Sequence, residues 1–489
     1  MADFPLISRR KALQQLSFLG SAALLGGIPA WAHARQKETF PFSQNDFGKD
    51  FRWGVALAAF QNEGAWNADG KGESIWDRFN HTKGKIKDHS NADVSCDFYH
   101  RYPEDIALAA RLGFDSFRFS ISWSRIFPSG TGQINQKGVD FYHRVIDTCL
   151  ENGLQPFITL YHWDLPQALE DRGGWINRDI VNWFSEYANT VTRLYGDKAK
   201  NWCVLNEPMG FIGLGYVQGI HAPGHKKMMN FFPGVLHAGL CQAEGGRIVK
   251  NNVKNAYAGT TFSCSHVDPA SSKEKDIKAA LRMDALLNRL FIEPLVGMGY
   301  PVKDLPFLTR MERYMQAGDD KRLQFDFDFI GLQYYFRVVG KNAFWMPLLH
   351  SREIPAEKRD VPMSEMKREI YPEGMYHILK KFSTYPIKEI LVTENGCCVP
   401  DLLENGQVHD TKRIAFFSSY LQQLLKAKQE GVNVKGYFVW TLTDNFEWNE
   451  GYAARFGIVY TDFASQKRYI KDSGYCFQQM LQPSSFQQA

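Results

Sequence analysis

The sequence predicts an α/β fold, a single (β/α)8 TIM barrel with elaborated βα loops. Three observations point there. Eight short apolar runs recur along the chain, at 52–60, 116–121, 156–161, 203–206, 257–262, 329–335, 389–394 and 436–442. Longer amphipathic stretches separate them, the alternation that builds parallel β/α units, and eight such units close naturally into a barrel. Several of the runs end in polar residues, at the strand end where a barrel carries its active site.

Taken in order, the chain begins with a segment unlike the rest. Ser8-Arg9-Arg10-Lys11 precedes a small, apolar stretch from Leu16 to Gly27, and Ala30-Trp31-Ala32-His33-Ala34 follows with small residues at A-x-A spacing. That is the layout of a cleaved signal peptide over 1–34, with Arg9-Arg10 resembling the twin-arginine type. The apolar run is too short and glycine-rich for a membrane span. Cleavage is expected after Ala32 or Ala34, leaving an exported protein, periplasmic or secreted, with no stable membrane insertion. A short lead covers 35–46, the barrel 47–480, and a tail 481–489.

Within the barrel, 102–111 reads as a helix with Ile106, Ala109 and Ala110 on one face. The stretch 180–195 reads as another, with apolar residues at 180, 181, 184, 187, 188, 191 and 194. No Pro-, Gly- or Ser-rich linker and no tandem repeat appears after residue 47, so one catalytic domain is expected.

Composition bounds the partners. Of 489 residues, 44% are hydrophobic and 22% charged, an ordinary globular balance. The formal net charge is +4 with Lys and Arg scattered, which excludes nucleic acid as the main partner. Aromatic content is 14%, with 12 Trp and 21 Tyr, and aromatic rings stack on the apolar faces of sugars as readily as they fill a core. Eight sparse cysteines show no CxxC pair, which argues against a disulfide scaffold and a structural zinc site. Cys397 and Cys398 are adjacent; they read as reduced loop residues, with oxidation sensitivity near the site as the other reading.

The chemistry sits at four strand ends. One run leads into Asn206-Glu207-Pro208, another into Glu394-Asn395-Gly396, a third into Tyr161-His162-Trp163-Asp164 and the last into Asp444-Asn445-Phe446-Glu447-Trp448. Polar residues at corresponding strand ends should converge on one mouth. Two glutamates across such a mouth match what glycosidic bond cleavage needs. One protonates the leaving oxygen, and the other attacks the anomeric carbon or activates water. A gap of about 5 Å would indicate the retaining route.

At these residues the sequence resembles glycoside hydrolase family 1, the β-glucosidase family. The likeness runs over about 47–480 and includes Phe51-Arg52-Trp53-Gly54, Gln61-Asn62-Glu63-Gly64-Ala65-Trp66 and Ser74-Ile75-Trp76-Asp77. It continues through Phe117-Arg118-Phe119-Ser120-Ile121-Ser122-Trp123-Ser124-Arg125-Ile126, His162-Trp163-Asp164-Leu165-Pro166-Gln167, Asn206-Glu207-Pro208, Thr393-Glu394-Asn395-Gly396 and Asp444-Asn445-Phe446-Glu447-Trp448. The resemblance implies Glu207 as acid/base and Glu394 as nucleophile, with Arg118 and Tyr335 holding the nucleophile and lowering its pKa. It implies sugar contacts from Gln61, His162, Trp163, Asn206, Trp440, Glu447 and Trp448. It also implies that no cofactor or metal is needed. A carboxylate at Glu447 suits free 4- and 6-hydroxyls and would repel a 6-phosphate.

Two departures stand out. Gln333 occupies the place of the family's usual asparagine on the sixth strand, altering its reach, and Cys397-Cys398 follow the nucleophile loop where small residues are usual. Trp345, with Phe344 and Met346 in the Pro- and Met-rich stretch 342–371, is expected at the rim on the aglycone side, and Phe456 is a further weak candidate. The implied function is a retaining exo-β-glycosidase acting on β-D-glucosyl, galactosyl or fucosyl ends of a small β-glycoside or oligosaccharide. A catalytically silent sugar binder and a transglycosylating enzyme are the alternatives. Oligomeric state is left open.

Overall fold

The computed structural model describes residues 39–482. The expected leader and its cleavage sites, residues 35–38 of the lead, and residues 483–489 lie outside the described residues.

Eight parallel strands form a closed barrel: β1 Arg52–Ala56, β2 Ser116–Ser120, β3 Gln155–Tyr161, β4 Asn201–Asn206, β5 Tyr257–Cys264, β6 Phe329–Tyr334, β7 Ile390–Asn395 and β8 Val434–Trp440. A helix follows each in turn: α1 Phe98–Arg111, α2 Gln136–Glu151, α3 Ile180–Tyr195, α4 Phe231–Asn252, α5 Glu274–Asp284, α6 Glu373–Phe382, α7 Thr411–Gln429 and α8 Asp472–Leu481. Strand β1 closes on β8 from Arg52 opposite Gly436 to Ala56 opposite Trp440. All eight expected strands are present, with shifted ends. The 52–60 run stops at Ala56 because Ala59–Asn62 coils into a helical turn. Helix α3 matches its periodicity, burying Ile180, Val181, Phe184, Tyr187, Ala188 and Val191 on one side. Helix α1 begins four residues earlier than expected, because Phe98 and Tyr99 bury its first turn; Pro103 therefore lies inside the helix.

The barrel interior is a packed core. Phe157, Cys203, Phe329, Leu391 and Phe438 fill it from different strands, with Phe157 and Phe438 at a 4.9 Å ring separation. Nothing larger than glycine fits opposite them at position 54, where a Cβ would stand 2.2 Å from the Phe438 ring. This aromatic plug places the open space at the C-terminal ends of the strands. The described part of the lead, 39–46, packs on the barrel: Phe40 is buried edge-on against Phe477 of α8 at 5.1 Å, and Gln44 donates to the Leu481 carbonyl at 3.0 Å.

Among the described residues no helix is long and apolar enough to cross a membrane, and no cluster of three or more His, Cys, Asp or Glu could hold a metal ion.

Candidate active site

Glu207 and Glu394 leave the ends of β4 and β7 where strand registers slip. Between Cys203 and Asn206 the pairing of β4 with β5 shifts, and between Val392 and Glu394 that of β7 with β6 does the same. Such irregularities re-aim side chains at a barrel rim. Glu207 itself has φ +47°, and Trp163 and Trp448 have φ +79° and +49°. Non-glycine residues in this left-handed region cost about 1–3 kcal/mol each, and they gather at functional sites. Gly396 belongs to the same economy of space: a Cβ there would stand 1.8 Å from the Trp440 carbonyl oxygen.

Arg118, fully buried on β2, ties the two strand ends together. Its Nη1 donates to Glu394 Oε1 at 2.6 Å and its Nη2 to Asn206 Oδ1 at 2.7 Å. The Tyr335 hydroxyl donates to the other oxygen of Glu394 at 2.9 Å. Burial is the largest influence on Glu394 and pushes its carboxyl above the usual range, while Arg118 and Tyr335 pull it down. The expected net lowering of this pKa is therefore corrected: the two donors oppose desolvation without overcoming it. Glu207 is pushed up to about 8, by burial first and by the charge of Glu394 second, with the Ser263 hydroxyl and Arg118 opposing. The residue is partly open to the mouth, and solvent there also works against the rise. A cation touches Glu394 and none touches Glu207, so the proton shared by this pair sits on Glu207.

The neighbouring polar network is built around Asn206. Its Oδ1 accepts from Arg118, from Gln333 Nε2 at 2.6 Å and from the Thr261 hydroxyl at 3.0 Å. Its Nδ2 therefore donates to His162 Nε2 at 3.0 Å, which puts the imidazole proton on Nδ1. Burial, helped by Arg118, holds His162 well below its usual pKa, so the ring is neutral. Gln61 Nε2 donates to Glu447 Oε2 at 3.0 Å and to the Phe446 carbonyl at 3.1 Å. Glu447 is pushed up to about 8 by burial, eased by Gln61. Gln61 Oε1, His162 Nδ1 and Gln333 Oε1 are buried without a protein partner. Buried polar atoms are rarely left so, and three around one mouth suit a ligand rich in hydroxyls.

The aromatic residues divide by role. Trp440 lies nearly parallel to the His162 ring at 5.8 Å. Trp163 stacks on Trp448 at 4.6 Å and spends its indole N–H on the Asn206 carbonyl at 2.9 Å. Trp448 also packs on Trp76 at 4.6 Å. Phe456 meets Tyr335 edge-on at 6.3 Å. Trp345 stands apart: it is 60% exposed, and among the described residues its ring contact is with Phe344, itself 76% exposed.

Not every polar strand end joins the mouth. Asp164 turns into a separate small polar cavity beside Glu63, Lys71, Asp77 and Arg125. Asp444 turns into a buried ion-pair network with Lys471 and Arg455. The thiol-reactivity reading of Cys397 and Cys398 is also corrected. Both are buried, and burial pushes both thiols up to about 12, away from the nucleophilic thiolate. Sequence reasoning missed Ser263 and Thr261, which face Glu207 and Asn206 from β5; the expected strand ended at 262, one residue short of Ser263, and Thr261 read as one more residue of an apolar run.

A barrel presenting a carboxyl with a raised pKa beside a second carboxyl gripped by arginine and tyrosine is the arrangement of a glycoside hydrolase. The family model for glycosyl hydrolase family 1 matches residues 43–486, and the chain belongs to that family. It is 44% identical over 438 residues to beta-glucosidase A of Thermotoga maritima, across 89% of this chain and 97% of that protein. It is 43% identical to the 1,4-beta-D-glucan glucohydrolase of Thermotoga neapolitana, across 89% and 98%. The structure of the Thermotoga maritima beta-glucosidase in complex with deoxynojirimycin superposes with a TM-score of 0.85 at 44% identity, covering 88% of this chain and 98% of that one.

Proposed function

We propose that this enzyme is a retaining exo-β-glycosidase releasing β-D-glucosyl residues from the non-reducing ends of small glycosides or oligosaccharides. The observation that carries it is the asymmetry of the two glutamates. Glu394 is held by Arg118 and Tyr335 as an oriented anion, while Glu207 keeps the proton. Glu394 attacks the anomeric carbon as Glu207 protonates the departing oxygen, giving a glycosyl-enzyme ester. Glu207 is ionised once it has given its proton to the leaving oxygen, and the loss of charge at Glu394 lowers its pKa and keeps it so; it then takes a proton from the water that attacks the anomeric carbon, as the ester bond breaks and Glu394 leaves as a carboxylate. The names of the relatives support glucose as the sugar, and Glu447 with Gln61 offers acceptors for the 4- and 6-hydroxyls. The intact trio of Glu207, Glu394 and Arg118 speaks against a silent sugar binder.

The test is a panel of chromogenic β-glycosides combined with a 2-fluoro glucoside. Turnover of the β-glucoside and a stoichiometric adduct on Glu394 are expected; an adduct elsewhere, or an α-configured product, would refute the reading. Product analysis at high substrate concentration separates hydrolysis from sugar transfer.

Export is part of the same proposal. Arg9-Arg10 ahead of a short apolar stretch and an A-x-A site support a twin-arginine-type leader. Mass spectrometry of the extracytoplasmic protein should find a mature N-terminus after Ala32 or Ala34, and an intact Met1 there would overturn it.

A further inference from the structure

Behind the site lies a group of charges that the chemistry above does not use. Lys471, immediately before α8, has a side chain with no solvent exposure, as do those of Asp401 and Asp444. Its ammonium donates to Asp401 Oδ2 and, at 2.7 Å, to Asp444 Oδ1. Asp401 belongs to the loop that leaves β7 after Glu394. Asp444 belongs to the loop that leaves β8, three residues before Glu447. One lysine therefore clamps the loop following the nucleophile to the loop that recognises the sugar.

Both ends of the clamp are anchored. Arg413 of α7 grips Asp401 with two parallel bonds, each 2.9 Å, and reaches the Arg455 carbonyl at 2.9 Å. Asp444 accepts from Arg455 Nη1 at 2.8 Å and from the Gly457 amide at 2.9 Å, and its own amide donates to the Val459 carbonyl at 3.0 Å. Asp410 bonds Arg413 and receives the Ser473 amide at 2.8 Å. Three cations meet three anions, so the network is neutral. Buried ion pairs seldom add stability over apolar packing; what they can supply is a defined register between the elements they join.

We propose that Lys471 is a positioning residue for sugar recognition, setting Glu447 and Trp448 relative to Glu394 through Asp444. The inference rests on the reading of Glu447 as the acceptor for the 6-hydroxyl. Loosening the clamp should loosen that contact while leaving the nucleophile on its Arg118 and Tyr335 bonds, which come from other strands.

The experiment compares a chromogenic β-glucoside with its 6-deoxy analogue, in the wild type, in Lys471→Met and in Asp401→Asn. Lys471→Met should raise KM for the glucoside about tenfold, the loss of one charge-assisted bond, with kcat changed less than about threefold. KM for the 6-deoxy substrate should move clearly less, since it has no 6-hydroxyl to lose and keeps only the 4-hydroxyl contact with Glu447. Asp401→Asn, which keeps the Lys471–Asp444 bond and the Arg413–Asp410 bond, should shift the same ratio in the same direction by less. Equal changes for both substrates, or an unchanged ratio in folded protein, would overturn the proposal. Should Lys471→Met not fold, the ratio in Asp401→Asn decides alone. A wild type that hydrolyses neither substrate would instead overturn the glucosidase reading.

Discussion

Arg118 Nη1 meets Glu394 Oε1 at 2.6 Å, with the guanidinium wholly shut off from solvent and the carboxylate almost so. Neither charge would be stable there alone. Together they hold the Glu394 carboxylate in one orientation, and the second arm of the guanidinium holds Asn206, next to Glu207, in the same frame.

Arg118→Met should therefore cost turnover far more than folding would explain. Removing one partner of a buried, hydrogen-bonded pair costs about 3–5 kcal/mol, roughly a hundredfold to several thousandfold in rate if expressed at the nucleophile. Arg118→Lys should rescue poorly, because a single ammonium cannot serve Glu394 and Asn206 in a fixed fork. The pre-steady-state rate of leaving-group release reads the effect, and a loss below fivefold would show that Glu394 does not depend on this pair.

The two glutamates should separate kinetically. Glu394→Ala should abolish turnover, with partial recovery when a small anion such as azide fills the vacated space. Glu207→Ala should spare the first step most for glycosides whose leaving group needs no proton. Equal losses across good and poor leaving groups would remove Glu207 from the acid role.

With Glu207 held up at about 8, activity should fall as pH rises through that region. The stability consequence has a definite sign. A carboxyl ionising near 4.3 in the unfolded chain and near 8 in the native one leaves the native state holding a proton that the unfolded state has released. Its contribution to stability is complete below the unfolded value, declines between the two, and is lost above the native value. Glu207→Gln should thus raise the melting temperature at about pH 9 and change it little at about pH 4. A uniform change at both would show that its proton is not coupled to folding.

Thiol reagents should leave the native enzyme active. All eight cysteines are buried, and Cys397 and Cys398, just after Glu394, have thiols that burial pushes up to about 12. Inactivation by iodoacetamide without unfolding would mean that the loop opens in solution.

The barrel was legible because buried parallel strands must be apolar runs and their helices must show a 3.6-residue stripe; 180–195 is both pattern and element. Glu207 and Glu394 were legible because their motifs fall at strand ends; Arg118, in the middle of β2, and Tyr335 were legible only through the family resemblance. What pattern could not show was direction. Asp164 and Asp444 sit at strand ends as polar as the others, yet each turns away from the mouth into its own polar cluster, because loop backbone and not strand register aims them. Nor could sequence weigh desolvation against Arg118 at Glu394, since burial is a property of the assembled barrel.

Gln333 offers the closest test of how far such departures matter. Its added methylene does not push the amide out of the site; it brings Nε2 to 2.6 Å from Asn206 Oδ1 and leaves Oε1 buried without a protein partner. Asn206 Oδ1 then takes donors from Arg118, Thr261 and Gln333 at once, which fixes its amide and, through it, the His162 tautomer. Gln333→Asn shortens the arm and should break the 2.6 Å bond, at about 0.5–1.5 kcal/mol, or roughly twofold to tenfold in kcat/KM. The family resemblance implies a contact between Asn206 and the sugar 2-hydroxyl, so a 2-deoxy glycoside should lose less than the parent sugar on this substitution. If both substrates lose equally, Gln333 supports the barrel wall and not the orientation of Asn206.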